Sequence, residues 1–192
     1  MVAALDKNQP PDNAKLAELI LLVAQLSEDD EKFGAVKLNK LLCYADFTAY
    51  RQLGKSITGQ TYFRNPKGPC ARRLLPIRTK MKNAGECTIV KTRYHGHTQQ
   101  RLIALRDPDR SVFTEDELVI VEQIVQTHWG KNARKISDDS HKLIGWQAAN
   151  HGENIPYAIS LLDQREPTAE EFEFADTLEP VAREVLSRHG HR

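Results

Sequence analysis

The stretch VKLNKLLCYADFTAYRQLG, residues 36–54, decides the fold. Leu38, Leu41, Leu42, Ala45 and Ala49 recur at helical spacing and form one apolar stripe. Cys43, Phe47 and Tyr50 add a second apolar face. A helix that covers one edge of a core needs a single stripe; one that is apolar on more than one side belongs at the centre, with other elements packed around it. Gly54 follows the last periodic residue and supplies the cap at which such a helix stops. Lys37 and Lys40 are assigned to its polar side.

Upstream, Pro10-Pro11 closes a flexible arm of residues 1–12, and Asp12 or Asn13 offers a helix N-cap. Leu16, Leu19, Ile20, Val23 and Leu26 then predict a helix to about Ser27, followed by the polar connector Ser27 to Asp30. Downstream, 55–68 reads as a loop with a short β-type segment, Thr61-Tyr62-Phe63. Asn65-Pro66-Lys67-Gly68-Pro69 is dense turn chemistry. Pro69 is placed at the start of a third helix carrying Leu74, Leu75, Ile77 and Met81, with a kink or restart at Pro76. Cys87–Tyr94 and Gln99–Arg106 predict a hairpin over about 87–106, turning at His95-Gly96-His97. Val90, Thr92 and Tyr94 are expected to line one face, as are Leu102, Ala104 and Arg106.

Thr114 with Glu117 forms a capping box before the stripe Leu118, Val121, Ile124, Val125 and His128, which Gly130 ends. Residues 131–163 read as short helices separated by Gly145, Gly152 and Pro156. Thr168 with Glu171 opens a last helix with the stripe Phe172, Ala175, Leu178, Ala182 and Val185, bent at Pro180. A frayed tail covers 188–192. The expectation is a mainly α fold: one compact multi-helix domain over 13–187 with a small antiparallel β element, the hairpin and the strand near 61–63.

Composition narrows the function. The 192 residues carry 27 basic and 26 acidic side chains, a net charge of +1. A general affinity for nucleic acid usually leaves a larger basic excess, so nucleic acid is disfavoured as a partner. Three widely spaced cysteines fit a reducing cytoplasm better than a disulfide framework. No secretory leader is visible, and the longest apolar run, Leu19 to Ala24, is far too short to span a bilayer.

Catalytic motifs dissolve on inspection. Gly54-Lys55-Ser56 resembles the end of a phosphate-binding loop, but Ala49 stands where the first glycine belongs and a helix precedes it. Asp139-Ser140-His141 are adjacent in sequence and cannot form a relay that requires convergence from separate segments. The paired histidines 95/97 and 189/191 lack partners at metal-ligand spacing. The carboxylate pairs Asp29-Asp30, Asp116-Glu117 and Glu170-Glu171 have structural roles in connectors and first turns. The expectation is a non-enzyme without catalytic residues, metal or cofactor. What stands out is basic and aromatic. Arg64, Lys67, Arg72 and Arg73 flank the 65–69 turn near Tyr62 and Phe63, with Arg78, Lys80 and Lys82 beyond. Trp146 lies among short irregular helices and is assigned to the core, although Trp also anchors interfaces.

Several blocks together resemble one family. Lys37-Leu38-Asn39-Lys40-Leu41-Leu42-Cys43-Tyr44-Ala45-Asp46 looks like the K-L-x-K-L-L-Y-Y-A opening of the Panacea, or SocA-like antitoxin, domain, with Cys43 where that pattern has an aromatic. The loop from Gly54 to Gly59, then Tyr62, Asn65 and Gly68-Pro69, resemble its middle segments, without the tyrosine of Y-G-P. Ile136-Ser137 with His141, Trp146, and Ile155-Pro156-Tyr157 resemble its C-terminal signatures. The resemblance covers about residues 14–162. It implies a bacterial or phage antitoxin that neutralises a cognate toxin protein by direct binding. One branch of the family resembles a protease adaptor that delivers its toxin for degradation; a nucleic-acid-binding regulator is a further alternative. The family brings no catalytic residues, and its motif residues read as mainly structural. Arg64, Lys67, Arg72, Arg73, Trp146 and Tyr157 are the candidate partner contacts.

Overall fold

The computed structural model describes residues 9–94 and 97–162, together with positions 170, 173, 177 and 180. The chain divides into two compact units, 1–162 and 163–192. In the second, the described positions Glu170, Glu173, Thr177 and Pro180 are helical. The rest of the expected last helix, its capping box, the tail and most of the N-terminal arm lie outside the described residues, as does the turn at His95-Gly96.

In the first unit, α1 (Asn13–Leu26) and α2 (Ala35–Leu53) come first. The Asp12 carboxylate caps α1 by accepting from the Lys15 N–H, and Gly54 ends α2 in the left-handed region at φ 79°. As the two-faced pattern requires, α2 is central: it packs against α1, against α4 (Glu115–Thr127) and against α5 (Ala133–Ser140). Leu38, Leu41, Leu42 and Ala45 are fully buried together with Leu16, Leu19 and Ile20 of α1 and Val121 of α4. The capping box of α4 forms in both directions between Thr114 and Glu117.

Two small sheets complete the unit. β1 (Tyr62–Phe63) pairs antiparallel with β2 (Cys70–Ala71) on one side and with β5 (Asn154–Ile155) on the other. β3 (Cys87–Tyr94) and β4 (His97–Ala104) form the expected hairpin, with Ile89 opposite Leu102 and Cys87 opposite Ala104. The fold is mainly α with a small antiparallel β element.

Five local expectations are corrected. Pro69 does not open a helix: Cys70–Ala71 is a strand, and α3 spans Leu74–Asn83. Pro76 therefore falls in the first turn of α3, where no N–H donor is needed, and it neither kinks nor restarts the helix. Gly145 does not separate helices but lies inside α6 (Ile144–Ala148), where a Cβ would stand 2.6 Å from Ile155 and Ile159. On the hairpin, Cys87 and Leu102 are the buried positions while Val90 and Thr92 face outward, so β3 presents the opposite alternation to the core. Finally, Lys37 and Lys40 are not on a polar side of α2; each is 1% exposed.

Candidate functional site

The turn at 65–69 organises the site. Its geometry is local: the Asn65 side chain accepts from the Lys67 N–H, the Gly68 N–H donates to the Asn65 carbonyl, and Gly68 adopts φ 92°. Alternate carbonyls of this loop are then caught by side chains from three distant elements. Trp146 Nε1 of α6 donates to the Asn65 carbonyl at 2.9 Å. Ser137 Oγ of α5 donates to the Lys67 carbonyl at 2.9 Å. Asn39 Nδ2 and Lys40 Nζ of α2 donate to the Pro69 carbonyl at 2.7 and 2.8 Å. Gly68 is pressed so closely onto this scaffold that a Cβ would meet Ser140 Oγ at 2.0 Å and Lys40 Nζ at 2.7 Å. The scattered sequence signatures, lysine on α2, Gly-Pro, serine on α5 and tryptophan, hold a single loop in one shape.

Outside this scaffold lies a face of stacked cations and rings. The Arg64 guanidinium sits 4.4 Å over the Trp146 ring and donates to the Ala149 carbonyl; His141 stacks on the same indole at 4.1 Å. The Arg72 guanidinium sits 4.6 Å over Phe63 and donates to Asn154 Oδ1 and the Gly152 carbonyl. Main-chain bonds between Arg64 and residues 152 and 153 extend the β1–β5 pairing. Two segments expected separately, 64–73 and the run from Trp146, are thereby one continuous surface. Lys67 and Arg73 are exposed on it, and among the described residues neither is in an ion pair. Trp146 is half-buried rather than in the core.

Tyr157 does not join that face. It follows β5 but turns inward, stacking with Phe47 and Tyr50 and donating from its hydroxyl to the Gln60 carbonyl at 2.6 Å. Tyr62 lies beside it and donates to Asp46. Asp46, fully buried on α2, also accepts from the Thr58 N–H and hydroxyl. Burial raises its carboxyl from 3.8 to about 6 despite these three bonds. Tyr157 and Tyr62 thus hold the 56–62 loop against α2.

Sequence reasoning missed two buried polar features. Lys37 forms an ion pair with Asp30, a carboxylate assigned to a polar connector, and donates to the Lys131 carbonyl. Against the cost of burial, the bonds to Asp30 from Lys37 and from the Lys32 and Gly130 N–H groups hold its carboxyl below the ordinary value. Beside this pair, Tyr44 stacks on His128 at 4.5 Å, and burial lowers the imidazole to about 4. Among the described residues Lys40 has no carboxylate partner; burial lowers it from 10.5 to about 8. A lysine spaced among leucines could have signalled both, because positions 37 and 40 fall beside the stripe at 38, 41 and 42.

Among the described residues, no three His, Cys, Asp or Glu side chains form a group able to hold a metal, and no helix is long and apolar enough to cross a membrane. Comparison with curated proteins and with solved structures yields no significant match. The family model for the antitoxin SocA-like, Panacea domain matches residues 38–147, a span that contains the α2 lysine, the Gly68-Pro69 turn, Ser137, His141 and Trp146. The chain belongs to the SocA-like antitoxin, Panacea-domain family.

Proposed function

We propose that this protein is a toxin-neutralising antitoxin that acts by binding its cognate toxin directly and not by catalysis, through the face built from residues 63–73 and 146–154. The observation that carries the reading is the convergence just described. Four side chains from three helices fix the 65–69 loop, and that loop and its flanks carry Arg64, Lys67, Arg72 and Arg73 near Phe63 and Trp146. Arginine and tryptophan are the side chains that most often dominate binding energy, and they do so best where the free protein already holds them in place. Arg64 and Arg72 lose little rotamer freedom on docking, because stacking and carbonyl bonds already restrain them. Lys67 and Arg73, which are in no ion pair among the described residues, add exposed positive charge there. Neutralisation then follows from occlusion: a surface that covers the toxin's active or substrate-binding face denies access without altering the toxin chemically.

The test is co-expression with the product of the adjacent reading frame. That product alone is expected to arrest growth; together with this protein growth is restored, and the two proteins elute as one complex in size-exclusion chromatography. A product harmless by itself, or the absence of a complex, overturns the proposal.

A further inference from the structure

The net charge of +1 conceals a segregation. Residues 47–106 contain thirteen Lys and Arg and one carboxylate, Glu86, a net of +12; the rest of the chain carries −11. The lone carboxylate is spent internally, since Glu86 and Glu18 both accept from Arg106. Among the described residues, no cation from Arg51 to Arg93 is in an ion pair.

The fold gathers part of this charge beyond the face already described. α3 buries Leu74, Ile77 and Met81 and leaves Lys80 and Lys82 exposed. It packs on β3, and the positive charges of Arg78 and Lys82 act on the buried thiol of Cys87, so α3 covers the Cys87 side of that strand. Side chains two apart share a strand face, so Lys91 and Arg93 continue the Cys87 side of β3, about 13 and 20 Å further along the strand at 3.3 Å per residue. Both are exposed. The result is an elongated cationic band of Arg78 and Lys82 on the β3 flank of α3 with Lys91 and Arg93 beyond them, of a length that spans several phosphates of a nucleic-acid strand.

We infer that the α3–β3 band is a second binding surface, one that engages the phosphodiester backbone of nucleic acid without reading sequence. Two features favour a phosphate backbone over an acidic protein. The centre of a protein–protein interface is depleted of charge and built on apolar or aromatic anchors, whereas nucleic-acid interfaces are polar and strongly positive. The band has cations throughout, and among the described residues none of its four named members is in an ion pair.

The experiment is fluorescence anisotropy of the full chain with fluorescein-labelled 24-mer duplexes of random sequence, DNA and RNA in separate arms, at 50 to 200 mM salt. Micromolar binding at 50 mM is expected, falling linearly in log affinity against log salt with a slope near −4, as about four to five neutralised phosphates require. The variant Arg78→Gln/Lys82→Gln/Lys91→Gln/Arg93→Gln loses at least tenfold in affinity at 50 mM and flattens the slope, while its thermal midpoint and its neutralisation of the toxin are unchanged. The DNA and RNA arms identify the natural backbone. Absence of binding to both at 50 mM salt, wild-type affinity in the quadruple variant, or displacement by polyglutamate as readily as by unlabelled duplex overturns the inference; the last result assigns the band to an acidic protein. Failure of the toxin complex leaves this measurement untouched, so the two proposals fall separately.

Discussion

Lys37 and Lys40 lie three residues apart on α2 and are equally buried, yet they answer to different partners. Lys37 meets Asp30, so removing the ammonium strands a carboxylate in the interior; unpaired buried charges of this kind cost about 3–5 kcal/mol. Lys40 meets only the Pro69 carbonyl, and replacing it with a chain of similar length sacrifices about 1 kcal/mol of hydrogen bonding while relieving a buried cation. Urea denaturation at pH 7 is therefore expected to rank Lys37→Ala well below Lys40→Met in stability; equal losses would show that Asp30 is not held by Lys37. Asp46 supplies the pH prediction. Its carboxyl is raised from 3.8 to about 6, so the folded state holds the proton more tightly than the unfolded chain does. The associated stability is fully present below pH 4 and is lost as pH rises through 6. Relative to Asp46→Asn, which has no carboxyl to titrate, the native protein should lose on the order of 2–3 kcal/mol between pH 4 and pH 7. A constant difference across that window would contradict the assignment.

At the scale of elements, the 65–69 loop shows how widely separated pieces specify one another. No bond within the loop dictates that Asn65, Lys67 and Pro69 offer their carbonyls to α6, α5 and α2; those helices do. Gly68 is the wedge that lets them close. Gly68→Ala combines an unfavourable left-handed backbone with a clash against Ser140 and Lys40, and a loss of about 2–4 kcal/mol is expected from these together. Thr114→Ala removes one reciprocal cap from an otherwise intact helix and should cost only about 1 kcal/mol. Thermal unfolding of the two variants distinguishes a keystone from a cap. Elements whose signals are local were legible in sequence: the Asp12 cap, the Thr114–Glu117 capping box, the Gly54 stop, the hairpin and the strand at 62–63. The start of α3 was not, because proline at 69 satisfies helix chemistry as well as it satisfies a strand edge, and only pairing with Thr61 to Phe63 settles the choice.

For the whole molecule, the decisive property is that rigidity and exposed charge lie on the same face. Arg64, Arg72 and Trp146 serve the fold as well as the surface, so their truncation mixes two effects. Among the described residues the Lys67 and Arg73 side chains are in no ion pair, and Lys67→Glu/Arg73→Glu should weaken the toxin complex at least tenfold, measured by isothermal titration calorimetry, with the unfolding midpoint unchanged. Trp146→Ala should instead lower the midpoint by several degrees, having lost the Asn65 bond and the His141 and Arg64 stacks. If the charge reversal leaves affinity intact, the toxin docks elsewhere.

By itself, the sequence determined the central helix, its neighbours and the family, because periodicity, caps and ordered signatures are properties of short segments. It also marked Arg64, Arg72, Trp146 and Tyr157 as notable without separating their roles. Only the tertiary structure decided that the first three form one surface and that Tyr157 turns inward to Gln60. It alone buried Lys37 and Asp30 against each other. A buried charge pair and a loop held by distant donors depend on which residues meet in space, and no segment of chain carries that information alone.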